Sequence, residues 1–184
     1  MDGKRLLVVV DYQKDFVDGA LGFAGAERLD LPIAAKIKAY HDAGDCVVFT
    51  LDTHRENYLS TQEGRRLPVA HCICGTAGWE LFGETAGQQR PEDLVFQKPT
   101  FPSMELADYI AEEDFETIEL VGLVSHMCVL SNAVMAKAAA PEAEIIVDAA
   151  CTASFDQSLH EKALDVMEAL QMTVTNRAPR EEKR

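Results

Sequence analysis

Cys128 stands in Gly122-Leu123-Val124-Ser125-His126-Met127-Cys128-Val129, where a β-rich apolar run turns sharply into a helical pattern. A thiol in the first turn of a helix feels the positive end of the helix dipole, which lowers its pKa and favours thiolate. Backbone N–H groups near that turn point at the same spot and suit an oxyanion. This is the setting of a nucleophile; a buried, inert cysteine is the other reading of the same position. His126 is a base two residues away. Spacing of i, i+2 does not place it facing Cys128, so it reads as a structural or supporting residue.

A second constellation is Asp52-Thr53-His54. In an extended chain, side chains two apart lie on one side, so a carboxylate oxygen and an imidazole nitrogen can share a divalent cation. His71 follows, with Glu63 between. Two histidines with one or two carboxylates suit zinc, iron or manganese and leave positions open for water or substrate. An Asp–His hydrogen bond with an unrelated His71 is the alternative. Cys72 and Cys74 form a lone C-x-C without a second pair, better read as small hydrophobes than as a thiolate zinc site. Two further charges close apolar runs. Asp11 opens Asp11-Tyr12-Gln13-Lys14-Asp15-Phe16 and can cap a turn. Lys98 at a strand end reads as a solvated charge or, because Pro99 restricts the backbone before it, as one aimed inward.

The elements that must position these groups are short apolar runs alternating with helical stretches. The runs are 6–10, 46–51, 94–96, 117–122, 144–147 and 172–175. Continuous apolar runs such as Leu6-Leu7-Val8-Val9-Val10 suit strands buried on both faces. Between them the pattern predicts helices over 32–43, with Asp30 as cap and Gly44 as stop, and over 103–112. It predicts an Ala-rich buried helix over 127–139, and one over 154–170 with Phe155, Leu159, Ala163, Val166, Met167 and Leu170 on its apolar stripe. Strands alternating with helices imply an α/β protein with a parallel sheet covered on both faces. Ligands of such sheets sit beyond the carboxyl ends of the strands, where Asp11, Asp52, Lys98 and Cys128 all fall.

The chain has 184 residues, suited to one domain over 1–177 with a short charged tail over 178–184. Its 17 basic and 31 acidic residues give a net charge of −14, which repels phosphate backbones and anionic lipid and argues against nucleic acid or membrane partners. No run has the roughly 18 apolar residues that a membrane span needs. The apolar stretch 6–10 is too short for the core of an export signal. With five cysteines, an odd number, this reads as reduced thiols in a cytoplasmic protein. Cys46 falls in the second strand and Cys151 near the end of the fifth, and both read as packing residues.

Taken together, Asp11 in D-Y-Q-K-D-F, Lys98 before Pro99 and Cys128 in G-L-V-S-H-M-C-V resemble the isochorismatase-like cysteine hydrolases, in that order and over nearly the whole chain. The resemblance implies a three-layer α/β/α fold with a six-stranded parallel sheet. It also implies Asp11, Lys98 and Cys128 as catalytic residues, with backbone N–H groups of Val124 and Cys128 as oxyanion hole. The Leu123–Val124 bond matches the family's non-proline cis peptide. Phe16 matches an aromatic that lines the substrate pocket. Asp-Thr-His at 52–54 and the stretch 71–81 look like the nicotinamidase branch, which makes Asp52, His54 and His71 ligands of one divalent metal ion, zinc first with iron or manganese as alternatives. Glu63 resembles an additional acidic ligand.

The resemblance departs at Ser125, where threonine is usual, at His126-Met127, and in 55–70, which has Tyr58 and Leu59 but no tryptophan. The implied function is hydrolysis of nicotinamide to nicotinate and ammonia through a Cys128 thioester, with a small-molecule amide as the partner and a homo-oligomer as the assembly. Three alternatives stay open. They are a hydrolase of a carbamoyl or ureido amide, an isochorismatase-related hydrolase, and a non-catalytic metal-binding or thiol-sensing module.

Overall fold

The computed structural model describes residues 3–178, so the expected tail beyond Ala178 lies outside the described residues. Strand β1 (Arg5–Val10) is central because its side chains suit burial on both sides. Leu6, Val8 and Val10 face one apolar cluster, and Leu7 and Val9 face the other. All five are fully buried, and each contributes roughly 1.5–3 kcal/mol over an exposed position.

Around β1 the other strands are β2 (Cys46–Asp52), β3 (Leu94–Lys98), β4 (Thr117–Leu123), β5 (Glu144–Ala153) and β6 (Thr173–Thr175). They form one parallel six-stranded sheet in the order β3-β2-β1-β4-β5-β6. The helices are α1 (Lys14–Val17), α2 (Asp30–Ala43), α3 (Gly83–Gln88), α4 (Met104–Glu112), α5 (Leu130–Ala139) and α6 (Gln157–Ala169). Residues of α1 and α2 pack on the Leu7/Val9 face, and those of α4, α5 and α6 on the Leu6/Val8/Val10 face. This is the three-layer α/β/α arrangement. The strand order reverses direction between β1 and β4, the crevice where open parallel sheets bind ligands.

Gly122 is required at that crevice. It has φ 110°, and a Cβ there would lie 2.0 Å from the Val10 carbonyl oxygen. The close approach lets β4 hug β1 just before the chain turns towards Cys128.

Five local expectations change. Asp30 is the first residue of α2 rather than its cap, and its carboxylate accepts from the N–H groups of Glu84 and Thr85, each at 2.8 Å. It therefore caps α3, a partner too distant in sequence for local spacing to reveal. Strand β5 runs on to Ala153 because a register shift between Leu120 and Gly122 inserts extra residues opposite β4. The single helix expected over 127–139 is a π-type turn, Ser125–Val129, followed by α5. Val134 of α5 is exposed while Ala133 and Ala136 are buried, so α5 has one solvent face that its alanines disguised.

Helix α6 is rotated from the expected stripe. Its buried face carries His160, Ala163, Leu164 and Met167. Phe155, Leu159, Val166 and Leu170 are exposed instead. The polar His160 takes an inward place because a hydroxyl waits there, as described below.

Candidate active site

Four strand ends deliver the charged groups to one place. Asp11 directly follows β1, and its backbone N–H donates to the Thr50 carbonyl of β2. Its φ of 44° is left-handed, a conformation that a short polar side chain tolerates better than most, and it turns the carboxyl across the strand ends. Asp52 and Lys98 are register partners at the ends of β2 and β3. Cys128 lies in the turn after β4.

Asp11, Lys98 and Cys128 converge. Lys98 Nζ lies 2.6 Å from Asp11 Oδ2 and 3.5 Å from Cys128 Sγ, and donates to the Thr100 carbonyl at 3.0 Å. Thr50 donates its hydroxyl to Asp11 Oδ1 at 2.7 Å. Asp11 and Lys98 are 0 % and 1 % exposed, so each charge depends on the other. Removing one partner of such a pair costs about 3–5 kcal/mol. Burial alone would lower the Lys98 pKa, but Asp11, Cys128 and Asp52 raise it, so the ammonium persists. Burial pushes Asp11 up, Lys98 pulls it back and Asp52 pushes again; the net direction is up.

The thiol differs from the sequence expectation. Burial raises the Cys128 pKa well above the ordinary value, Asp11 raises it further, and Lys98 only partly compensates. The five-residue π-type turn does not outweigh this desolvation, so the resting group is a thiol that needs a base rather than a ready thiolate. His126 faces away: its Nδ1 pairs with Ser154 Oγ at 2.9 Å.

The second constellation sits beside the first. Asp52, His54 and His71 offer ligand atoms all within 4.8 Å of one another, and all three residues are buried. His54 Nε2 is 3.0 Å, and His71 Nε2 is 3.2 Å, from the same Asp52 oxygen. His71 Nδ1 lies 2.8 Å from the Val69 carbonyl, which fixes the tautomer and leaves Nε2 as a lone-pair donor. This donor set fits one divalent cation. Burial opposes ionisation of Asp52, but His54, His71 and Lys98 hold its carboxyl well below the usual range. Glu63 stands further out, with an oxygen 3.7 Å from His54 Nε2. Tyr58 packs against both imidazoles, with centroids at 4.6 and 4.9 Å, so it serves as a wall behind the histidines.

Both constellations open into one cavity of about 430 Å³. Phe16, Leu21, Phe23, Phe101, Met127 and Phe155 make its wall, with Cys128, Asp52, His71 and Glu63 among the polar contributors. The Phe16 ring is 5.6 Å from that of His71.

Three residues matter here that the spacing did not single out. Gln13 is fully buried, and its amide grips the backbone of Asp52: Nε2 donates to the Asp52 carbonyl at 2.9 Å, and the Asp52 N–H donates to Oε1 at 2.8 Å. Asp15 accepts from the Cys72 N–H at 2.7 Å and the Ala20 N–H at 3.1 Å, tying the residue after His71 to the loop that walls the cavity. Asn132 of α5 donates to the Cys128 carbonyl at 2.8 Å. A buried glutamine two residues after Asp11 was the available signal, but its partner is 39 residues away. All five cysteines are free, and Cys72 is buried while Cys74 is exposed.

The model of the isochorismatase domain matches residues 5–179. The chain belongs to the isochorismatase family. Membership makes it a hydrolase of that family. A nicotinamidase of Acinetobacter baylyi is 27% identical over 186 residues, covering 83% of this chain and 84% of the relative. A nicotinamidase/pyrazinamidase structure from Bacillus subtilis is 27% identical with a TM-score of 0.83, covering 93% of this chain and 98% of that one. The pyrazinamidase of Pyrococcus horikoshii, a structure in complex with zinc, has a TM-score of 0.81 at 23% identity, covering 94% and 98%. It shares the fold.

Proposed function

We propose that this family member is a nicotinamidase-type cysteine amidohydrolase, converting nicotinamide and water to nicotinate and ammonia through a thioester on Cys128. The observation that carries the reading is the convergence of Asp11, Lys98 and Cys128 beside the Asp52/His54/His71 set, with Cys128, Asp52 and His71 lining one apolar cavity. Thiol, base and supporting cation are the parts of covalent amide hydrolysis.

Asp11 takes the proton of the Cys128 thiol. A raised pKa makes its carboxylate a stronger base, and Lys98 stabilises the thiolate as it forms. The thiolate attacks the amide carbonyl. Backbone N–H groups of Val124 and Cys128 receive the oxyanion. Asp11 returns the proton to the amine as the C–N bond breaks, and ammonia leaves. Asp11 then takes a proton from water, which attacks the thioester; the acid is released and the thiol is restored. Asp52, His54 and His71 would hold the divalent ion, zinc in the first instance and iron or manganese otherwise, with Glu63 as an additional acidic ligand. When bound, such an ion supplies Lewis acidity and a coordination position for a ring nitrogen or water.

The wall supports a neutral ring amide. Among the described residues, those lining the cavity include the carboxylates of Asp52 and Glu63 and no arginine or lysine. A carbamoyl amino acid would bring a carboxylate that none of these lining side chains could pair with. Cytoplasmic location and homo-oligomeric assembly belong to this proposal through the family resemblance. The test is ammonia release from nicotinamide by metal-loaded protein, with Cys128→Ala as blank. The expected result is kcat/KM of at least about 10⁴ M⁻¹s⁻¹, absent from the blank. No release from nicotinamide by the wild type would overturn the substrate assignment.

A further inference from the structure

The turn that carries the nucleophile is held from α6 by two crossed serine–histidine pairs. Ser125 Oγ of the turn lies 2.9 Å from His160 Nδ1 of α6. His126 Nδ1 of the turn lies 2.9 Å from Ser154 Oγ, just before α6, and that hydroxyl also accepts from the Asp156 N–H. Successive residues of the turn thus reach the same neighbour in opposite senses. The two contacts differ in depth. Ser125 is 0 % exposed and His160 8 %, whereas His126 and Ser154 are only half-buried.

A buried Ser–His pair adds little to stability over a well-packed apolar pair of the same shape. What it supplies is direction, because a hydrogen bond fixes an angle and a separation that apolar packing leaves loose. Ser125 stands between Val124 and Cys128, both of which line the cavity. On the other flank, Asn132 already holds the Cys128 carbonyl. The rotation of α6 that brings His160 inward leaves Leu159 and Val166 exposed, so apolar burial on this helix is forgone in favour of a polar contact. Burial holds the His160 pKa below the ordinary value, so the ring stays neutral near pH 7.

We propose that His160 is a positioning residue: through Ser125 it sets the placement of the Cys128 turn, and with it the thiol and the backbone N–H groups beside it. The inference rests on the nucleophilic role assigned to Cys128 above. It requires that His160 and Ser125 act as one unit, and that the hydroxyl rather than the volume of residue 125 matters.

The experiment is a double-mutant cycle on metal-loaded protein with Ser125→Ala, His160→Phe and the two combined, alongside Ser125→Thr. Kinetics with nicotinamide and the rate of Cys128 alkylation by iodoacetamide are both measured. Each single change is expected to lower kcat about tenfold or more with KM within about twofold, because misplacement acts on the transition state. The double variant should be no worse than the poorer single one, and Ser125→Thr should retain most of the activity. Alkylation rates should shift in the same variants and show the same coupling. Losses that multiply, or a kcat left unchanged while only thermal stability falls, would overturn the proposal.

If the wild type does not hydrolyse nicotinamide, the substrate assignment fails, and the cycle is read on alkylation alone; equal alkylation rates across all variants would then overturn the positioning role. Should His160→Phe not fold, Ser125→Ala against Ser125→Thr decides by the same criterion.

Discussion

At the residue scale, the account turns on the protonation of three buried groups. Cys128 is a neutral thiol at rest, Lys98 is charged, and Asp11 must be ionised to act as base. Burial and the Asp52 charge raise the Asp11 pKa despite Lys98. The base form of a carboxyl is lost as pH falls through its pKa, so a raised value moves that loss to higher pH. In metal-free protein the acid limb of Cys128 alkylation by iodoacetamide, with Asp11 as the base, is therefore expected above the ordinary aspartate value of about 3.9. Initial rates across an acid pH series check this, and a limb at or below the ordinary value would contradict it. Single residues were legible unevenly. Asp11, Asp52 and Lys98 could be located because each closes an apolar run, and Cys128 because it stands in the turn that follows one. The raised thiol pKa could not, since local helix logic omits the desolvation that only the packed fold imposes.

At the element scale, the site depends on contacts between loops distant in the chain. Gln13, in the turn after β1, grips both backbone polar groups of Asp52 at the end of β2. Replacing it by leucine would leave a buried N–H and C=O without partners, each worth about 1–3 kcal/mol. The Asp52 carboxyl would lose its fixed aim, and supporting contacts of this kind set metal affinity by about 10–100-fold. Gln13→Leu is expected to weaken zinc binding by that factor in competition with a chelator, with the fold retained; unchanged affinity would remove Gln13 from the site. Asp30, Gln13 and His160 share the reason they escape sequence reading. Each is a polar residue whose partner lies 35 or more positions away, in a contact that neither helical nor strand periodicity encodes. Strand cores were legible because β1 carries the unbroken apolar run Leu6–Val10 and β4 is apolar apart from Thr117 and Glu119. The β5 extension was not, because its bulge interrupts that run with Asp148.

At the scale of the whole molecule, a net charge of −14 surrounds an apolar cavity that, among the described residues, is lined by carboxylates and by no lysine or arginine. Such a molecule repels anions over a Debye length of about 10 Å at 0.1 M salt. A neutral amide feels no such field. Its kcat/KM is expected to stay flat within about twofold from about 10 mM to about 300 mM salt, whereas an anionic carbamoyl substrate would gain as screening rises. Steady-state rates at several ionic strengths separate the two. No described helix is long and apolar enough to cross a membrane. The layered α/β/α architecture was readable from alternating elements, and the place of chemistry followed from the rule that ligands sit beyond parallel strand ends. The rotation of α6 was not readable, because its exposed apolar residues mimic a core stripe.

The central claim is a thioester on Cys128. Rapid acid quench during turnover of nicotinamide, followed by mass spectrometry of the Cys128 peptide, tests it most directly. The expected result is a nicotinoyl adduct on that peptide, present during turnover and gone once substrate is exhausted. Undiminished nicotinamide hydrolysis by Cys128→Ala, with no adduct on the wild-type peptide, would contradict the account.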